Sequence, residues 1–432
     1  MSSAPAIRSS ISIILVRITG AGLALLAQII ASRIIGAEEF GRYSLMLVWL
    51  LLLGHGATVG TNPLLCRYIA LYIKSGDISA IAGLLRATIS VVLIVGLTLG
   101  ASAALLVHTG AIAVGSETIL LATLAFSAIP LLVLQDYLES IARGIDRPAL
   151  GIVPAYLVRH LAIIVGVSSA FLLGHQAGAV TVMSMTVIGL VISLAIQFIL
   201  LHRHLGGLLR GTAPVYRLRE WVRTALPMAL SEAAEVLLMN ADILILGMFV
   251  EPELVAYYFA ATRLAQVLTY IPYGMSAVTA QRMAALAECR ERGKLQALIN
   301  HTTLASGGLA IMAALGMAVL APYLLALFGS DYAEAVPWVA ILAGGIAVAC
   351  LLGPGEDTLN MLGQERAGFA CIIAALAVNL VLNLLLVPGL GPMGAAWASA
   401  VALATRGLFA AGFAKRNLNL YLPLGASRLA GA

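Results

Sequence analysis

The chain has 432 residues, of which 61% are hydrophobic and 10% are charged, and its formal net charge at pH 7 is +5. Ordinary soluble proteins carry about 25% charged residues, so this composition predicts an all-α polytopic membrane protein and excludes a soluble enzyme. The basic surplus lies mostly in alternate loops, where Lys and Arg anchor a chain beside anionic membrane lipids. Membrane lipids are therefore expected partners, and nucleic acid is not.

Hydropathy predicts about twelve transmembrane helices, because a helix needs about 20 apolar residues to cross a bilayer. The predicted spans are 10–32, 43–65, 87–107, 119–138, 149–172, 180–201, 225–249, 257–279, 303–327, 336–355, 367–387 and 394–414. The connections between them are too short to hold a soluble domain. Since loops rich in Lys and Arg face the cytoplasm, both termini are predicted to be cytoplasmic.

Short sequence echoes, separated by about half the chain length, indicate an internal repeat. The paired segments are 39–43 (EFGRY) with 253–257 (ELVAY), 144–147 (GIDR) with 363–366 (GQER), and 178–179 with 394–395 (both GA). Their equivalent positions relative to the spans predict two six-helix halves, 1–212 and 213–432, with parallel topology around a central cavity. Transporters of that design bind their substrate between the halves.

Four arginines lie inside predicted spans, and these are Arg17, Arg159, Arg263 and Arg406. An arginine at the centre of an isolated span costs about 2.5 to 3.5 kcal/mol, so each needs a partner or a wet cavity. Guanidinium groups bind diphosphate bidentately and stay charged at physiological pH, which predicts binding of a lipid diphosphate. The alternative is that they reach an interface or pair with acids of neighbouring helices.

The predicted span 225–249 carries three acidic residues on one face. Helical geometry places Glu235 and Asp242 within about 20° of each other, and Glu232 within about 80° of both. This face predicts a coupling site for a cation or a proton, or else structural partners for the arginines. His55 and His160 are weaker candidates for proton transfer, because a lone intramembrane histidine more often hydrogen-bonds a neighbouring helix.

The sequence has no motif for a cofactor or a resident metal. The four cysteines form no CxxC pair, no lysine completes GxxxxGK[ST], and no histidine begins HExxH. We therefore expect no cofactor and no structural metal. The energy for transport is expected to come from a gradient, with Na⁺ or H⁺ as the coupling ion, or from the substrate.

Several runs give the chain a family resemblance. They are 36–43 (GAEEFGRY), 240–247 (NADILILG), 257–264 (YYFAATRL), 363–366 (GQER), 379–383 (NLVLN) and 391–396 (GPMGAA). In their order, and over nearly the whole chain, they resemble the polysaccharide-synthesis (O-antigen) flippases of the multidrug, oligosaccharidyl-lipid and polysaccharide exporter superfamily.

The resemblance implies a flippase, not an enzyme. Its substrate would be an undecaprenyl-diphosphate-linked oligosaccharide repeat unit, moved from the cytoplasmic to the outer leaflet of a bacterial inner membrane during exopolysaccharide or lipopolysaccharide synthesis. A polysaccharide polymerase and a chain-length regulator are the protein partners implied.

The resemblance also implies site residues. Sodium-coupled lipid-diphosphate flippases of this superfamily bind the ion between an aspartate of span 7, two polar residues of span 11, and span 12. The matching residues in this chain are Asp242, Asn379, Asn383, Ser399 and the backbone of Ala395. The resemblance likewise favours Arg17 and Arg263 as the cations that line the cavity and hold the diphosphate.

Two other functions remain open from the residues. A multidrug antiporter of the same superfamily would need an acidic and aromatic cavity for organic cations, which four intramembrane arginines disfavour. A membrane enzyme acting on the same lipid-linked sugar would usually present its catalytic groups in a sizeable outward loop, and the predicted outward loops are short.

Overall fold

The computed structural model describes residues 4–110, 116–174, 176–209 and 211–422. The first ten helices are α1 (Ala4–Ile35), α2 (Ala37–Ala57), α3 (Thr61–Ser75), α4 (Ile78–His108), α5 (Ser116–Ser127), α6 (Ile129–Gly144), α7 (Ala149–Val153), α8 (Arg159–Leu172), α9 (Ala179–Leu209) and α10 (Leu218–Phe249). The other seven are α11 (Pro252–Gln266), α12 (Tyr270–Glu288), α13 (Arg292–Ala326), α14 (Val336–Leu351), α15 (Gly355–Met361), α16 (Glu365–Leu390) and α17 (Pro392–Phe413). The predicted all-α class is confirmed.

Ten stretches of helix in the described ranges are long and apolar enough to cross a membrane, and they correspond to ten of the twelve predicted spans. The other two predicted spans are α10 and the pair α11 and α12. The first, the predicted span 225–249 within α10, stands apart because it carries three acidic residues, and the second because a 3-10 turn, Val267–Thr269, divides it.

The chain divides into two compact units, Met1–Val236 and Leu237–Ala432. This division falls inside α10, later than the predicted division between 212 and 213. The early turns of α10 pack on α3 of the first unit, where Trp221 Nε1 donates a hydrogen bond to Tyr72 Oη (3.0 Å). The Tyr68 and Thr224 hydroxyls form a second bond (3.1 Å).

In the first unit, α6 packs against α2, α3, α4 and α9. A break at residues 58–60 separates α2 from α3, and there Val59 and Gly60 adopt positive φ angles of 48° and 71°. A π-helical turn, Pro154–Val158, joins α7 to α8. Pro154 has no N–H, and the Arg159 N–H donates to the Pro154 carbonyl five residues earlier.

In the second unit, α14 packs against α11, α13 and α17, and α16 packs against α17. Residues 419–422, which we call the C-terminal strap, follow a π-helical turn, Ala414–Leu418. Leu420 and Leu422 are buried in a cluster with Met283, Leu295 and Ile299. Chain beyond α17 is therefore part of the packed core of this unit.

Candidate ion-coupling and arginine sites

Asp242 lies at the centre of a hydrogen-bonded cluster in the second unit. Its Oδ2 accepts hydrogen bonds from Tyr258 Oη (2.7 Å) and Ser399 Oγ (3.1 Å), and its Oδ1 accepts one from the Ile243 N–H (2.8 Å). Only 4% of Asp242 is exposed. Since a buried carboxylate is tolerated only where hydrogen bonds replace its hydration, these three donors stabilise it inside the unit.

Asn379 and Asn383 continue the cluster on α16. Asn383 Nδ2 donates to the backbone carbonyl (2.9 Å) and to Oδ1 (3.1 Å) of Asn379. Asn379 Nδ2 in turn donates to Ser399 Oγ (3.3 Å). Both asparagines are fully buried, and Asn383 Oδ1 has no hydrogen-bond partner in the part of the chain that the structure describes. One oxygen of the cluster is therefore open to a donor or a cation.

Four of the five residues implied by the family resemblance are thus joined by hydrogen bonds, namely Asp242, Asn379, Asn383 and Ser399. The fifth, Ala395, is buried one turn before Ser399 in α17. Oxygen ligands of this kind suit a hard cation, and the same bonds also suit a purely structural network. Across the described ranges, no group of three or more His, Cys, Asp or Glu side chains is placed to hold a metal ion.

The sequence does not single out Tyr258, although it belongs to the run 257–264. A tyrosine in an aromatic stretch has no spacing signal that separates a carboxylate partner from a packing residue. The neighbouring Tyr257 shows the contrast, because its ring packs edge-on against Tyr332 (centroids 4.7 Å apart). Only the fold of α11 against α10 distinguishes the two tyrosines.

Arg263 lies near the C-terminal end of α11, just before the 3-10 turn. Its guanidinium carbon lies 4.4 Å from the centroid of the Phe259 ring, and its Nη1 donates to Gln266 Oε1 (2.8 Å). Both partners come from the same helix, one turn before and one turn after. An aromatic face and an amide oxygen thus orient this predicted diphosphate ligand.

Arg406 of α17 forms an ion pair with Glu356 of α15. This contact matches the alternative that an intramembrane arginine pairs with an acid of a neighbouring helix. The next residue, Asp357, lies between two candidate spans and accepts a hydrogen bond from Ser276 Oγ (2.8 Å). Burial raises the pKa of the Asp357 carboxyl, and the Ser276 bond and the Arg406 charge act in the opposite direction.

Arg159 begins α8 directly after the π-helical turn. Its Nη1 donates to Gln135 Oε1 (3.0 Å), and Gln135 Nε2 donates to Ser193 Oγ (2.6 Å). Gln135 and Ser193 are buried, so this chain links α8, α6 and α9 in the interior of the first unit. Arg17 lies on α1, which packs against α8, and it interacts electrostatically with Glu139 of α6.

Glu232 and Glu235 belong to the first unit and are not among the hydrogen-bond partners of Asp242. Glu232 interacts electrostatically with four groups, which are Asp136, His55, Arg143 and Glu235. Sequence reasoning missed Asp136 and Glu139 of α6. The signal was present, since three polar residues on one face of an apolar span (Gln135, Asp136 and Glu139) call for partners.

Two family models match the chain. The model described as polysaccharide biosynthesis protein matches residues 6–280, which is more than half of the chain, and the model MatE matches residues 227–385. Among curated proteins, the chain is similar to the probable flippase AglR of Haloferax volcanii, with 27% identity over 165 residues. That match covers 38% of this chain and 35% of the relative.

Solved structures share the fold. A multidrug resistance MATE family transporter of the MOP superfamily, in an inward-facing conformation, matches with a TM-score of 0.75 and 15% identity, covering 94% of this chain and 98% of that one. The lipid II flippase MurJ, in an inward closed conformation, matches with a TM-score of 0.72 and 13% identity, covering 94% and 87%. A MOP superfamily transporter from Pyrococcus furiosus matches with a TM-score of 0.60 and 16% identity, covering 92% and 93%.

Identities this low show the fold and no more, but the family model covers most of the chain. The predicted family resemblance is confirmed, and the relatives are flippases and transporters rather than enzymes. The chain belongs to the polysaccharide biosynthesis protein family, and it is a multi-pass membrane protein with the fold of the MATE and MurJ structures.

Proposed function

We propose that the protein flips an undecaprenyl-diphosphate-linked oligosaccharide repeat unit from the cytoplasmic to the outer leaflet of a bacterial plasma membrane, by alternating access. Both termini lie in the cytoplasm in this proposal. Family membership supports a role in polysaccharide synthesis. The observation that carries the choice of substrate is the set of arginines within the spans, because fixed guanidinium groups suit a lipid diphosphate.

Arg17 and Arg263 bind the diphosphate in this proposal, and Arg159 and Arg406 are further substrate ligands. The contacts of Arg263 support its role, since Phe259 and Gln266 orient the guanidinium before a substrate arrives. Preorganisation of this kind lowers the entropy that binding must overcome. The ion pair of Arg406 with Glu356 gives it a structural role as well.

Transport is coupled to an inward cation gradient through the Asp242 cluster, and we propose sodium as the ion. The open acceptor Asn383 Oδ1 supports this assignment, together with the carboxylate and the Ser399 hydroxyl. Filling the site must favour one arrangement of the helices over another, because equal affinity for both would shift nothing. A proton on Asp242 would follow the same logic.

The test is flipping by the purified protein in proteoliposomes. The probe is an undecaprenyl diphosphate that carries a fluorescent disaccharide, and its arrival in the opposite leaflet is measured by quenching with an impermeant reagent. Arg17→Ala and Arg263→Ala should each slow flipping by about tenfold or more, because a charge-assisted contact is lost. Arg282→Ala removes an exposed arginine of α12 and should flip normally.

Lysine at positions 17 and 263 should rescue flipping only in part, because an ammonium cannot bind bidentately. Replacing sodium by potassium at fixed pH tests the coupling ion. Normal flipping by the double variant Arg17→Ala, Arg263→Ala would overturn the substrate assignment. An Asp242→Asn variant that keeps the full sodium response would overturn the coupling site.

A second candidate, a multidrug antiporter, is favoured by the MatE match over residues 227–385. It predicts export of an organic cation such as ethidium from the same proteoliposomes, dependent on Asp242 and indifferent to Arg17 and Arg263. The probe that the protein transports, the lipid-linked sugar or the organic cation, distinguishes the two functions.

A polysaccharide polymerase and a chain-length regulator are the proposed partners of the flippase, and purification from native membranes with mild detergent tests them.

A further inference from the structure

His55 of α2 and Asp136 of α6 face each other in a geometry that fixes where protons sit. His55 Nδ1 lies 2.7 Å from the Leu51 carbonyl oxygen, which can only accept, so Nδ1 carries a hydrogen. The other ring nitrogen, Nε2, lies 3.6 Å from Asp136 Oδ2. In a neutral imidazole Nε2 bears a lone pair, and it would then face the lone pairs of a carboxylate.

Asp136 Oδ2 is itself buried and has no hydrogen-bond partner in the described ranges of the chain. A single proton on Nε2 turns the facing lone pairs into an imidazolium and carboxylate pair. Alkali cations prefer oxygen ligands, and an imidazole nitrogen is a poor substitute. The pair therefore suits a proton better than it suits sodium.

Charged groups on the neighbouring helices surround this pair. Glu139 of α6, Arg159 of α8 and Glu232 of α10 interact electrostatically with Asp136. Glu139 and Glu232 interact in turn with three further charged residues, which are Arg17 of α1, Arg143 of α6 and Glu235 of α10. Glu232 is the one on α10 whose Oε2 is buried without a hydrogen-bond partner in the described residues. A proton added at His55 offsets the repulsion between the Asp136 and Glu232 carboxylates. Protonation of His55 therefore changes the electrostatic energy of α10 as well.

The chain just after His55 also contacts α10 through its backbone. His55 lies one turn before the break between α2 and α3, where Gly60 has a φ of 71°. A Cβ built on Gly60 would lie 2.3 Å from the Ala225 carbonyl oxygen, so the backbones of the break and of α10 are in direct contact. A change in the charge of His55 thus occurs one turn away from the point where the break between α2 and α3 contacts α10.

We propose that His55 and Asp136 form a proton-binding site of the first unit, and that its occupancy changes how the break between α2 and α3 packs on α10. The site is separate from the Asp242 cluster of the second unit. Its role in driving transport rests on the proposed function, whereas proton binding and its effect on the break do not.

Two native cysteines allow a test that needs no substrate. Cys66 lies in α3 beyond the break, where its Sγ donates to the Ser140 carbonyl (3.4 Å), and Cys289 is exposed. Maleimide labelling of both thiols is followed by peptide mass spectrometry between about pH 6 and pH 8, and Cys289 serves as the reference within each molecule. We expect the ratio of Cys66 to Cys289 labelling to change about threefold over this range.

His55→Gln and Asp136→Asn should each reduce that change to less than about 1.5-fold. The first variant removes the imidazole of the pair and the second removes the carboxylate. If only one of them folds, as judged by size-exclusion chromatography, that variant alone tests the proposal. His301→Gln, an exposed histidine of α13, should behave as the unsubstituted protein. A ratio that stays constant in the unsubstituted protein, or that still changes in every variant that folds, overturns the proposal. A sodium response at fixed pH that both variants abolish would mark His55 and Asp136 as an alkali-ion site and overturn the proposal equally.

Flipping of the fluorescent undecaprenyl-diphosphate disaccharide then tests the role in transport. A pH gradient at equal sodium should accelerate the unsubstituted protein, and His55→Gln and Asp136→Asn should lose that acceleration while keeping the response to a sodium gradient. Absence of any flipping by the unsubstituted protein would contradict the proposed function and leave the labelling result standing. Acceleration that persists in both variants would contradict the proton site alone.

Discussion

The side-chain amide of Gln296 pairs with the backbone of Tyr421 in both directions. Gln296 Nε2 donates to the Tyr421 carbonyl (2.7 Å), and the Tyr421 N–H donates to Gln296 Oε1 (2.9 Å). The amide takes the place that a neighbouring strand has in a sheet ladder. It fixes the C-terminal strap to the start of α13, beside the cluster that buries Leu420 and Leu422.

Gln296→Ala should lower the stability of the protein by about 1 to 3 kcal/mol, because two backbone groups of the strap lose their partners. The measurement is the melting temperature in detergent micelles. Gln281→Ala on the exposed side of α12 is the matched control and should melt as the unsubstituted protein does. Equal melting of the two variants would show that the strap is held by its leucines alone.

Gly353→Ala should destabilise the second unit more than Gly363→Ala does. Both glycines have positive φ angles, of 94° and 73°, so alanine is strained at each. Only at Gly353 would the new Cβ also crowd the strap, at 2.6 Å from the Leu422 carbonyl oxygen, while nothing lies within 4 Å at Gly363. The difference in unfolding free energy between the two variants, which we expect to be about 1 to 3 kcal/mol, measures the crowding.

Tyr258→Phe should impair the response of transport to sodium while Tyr257→Phe should not. The first change removes a donor to Asp242 Oδ2, and hydrogen bonds to charged groups contribute about 1.5 to 3 kcal/mol. We expect the sodium concentration that gives half-maximal flipping to change by about tenfold or more. Identical sodium curves for the two variants would mean that the Tyr258 bond is structural.

Asn383→Asp should strengthen the response to sodium. The change places a second carboxylate where Oδ1 now lacks a partner, and a hard cation prefers charged oxygen ligands. Half-maximal flipping should need about tenfold less sodium, whereas Asn383→Leu should need more. A sodium requirement that is the same in both variants would place the ion elsewhere.

Asp357→Asn should raise the melting temperature at pH 7.5, and the gain should shrink as the pH falls. Burial raises the pKa of this carboxyl, so the folded state favours the protonated form and the charged form costs stability at neutral pH. That cost disappears as the pH falls through the folded pKa. Melting curves of both proteins from pH 7.5 to 4.5 measure it. A gain that is constant with pH would assign the effect to packing.

Hydropathy predicts the helical class and the order of the spans, because the bilayer imposes one length scale on every crossing. It places the helix ends less well. The polar ends of helices continue beyond the apolar stretch, so α4 begins at Ile78 where the predicted span begins at 87. For the same reason the predicted connection between spans 180–201 and 225–249 is too long, because α9 continues to Leu209 and α10 begins at Leu218.

The partners of buried polar groups are harder to predict than the groups themselves. The resemblance names Asp242 and the two asparagines, yet Tyr258 enters their cluster because α11 packs beside α10. Spacing cannot reveal this, because the two side chains meet through tertiary contact rather than through helical periodicity. His55 is noticed as a lone histidine, and its meaning changes once Asp136 of another helix faces it.

The π-helical turn Pro154–Val158 amounts to one residue more than a regular helix needs. Each residue turns a helix by about 100°, so a homologue without that residue would carry the counterpart of Arg159 to a different side of α8. The hydrogen bond from that arginine to the counterpart of Gln135 would then be lost, although the flanking residues were unchanged. A sequence alignment that ignores a one-residue deletion at this turn will therefore pair arginines that occupy different positions in space. In a comparison of homologues, the presence of the extra residue should be established before the arginines are treated as equivalent.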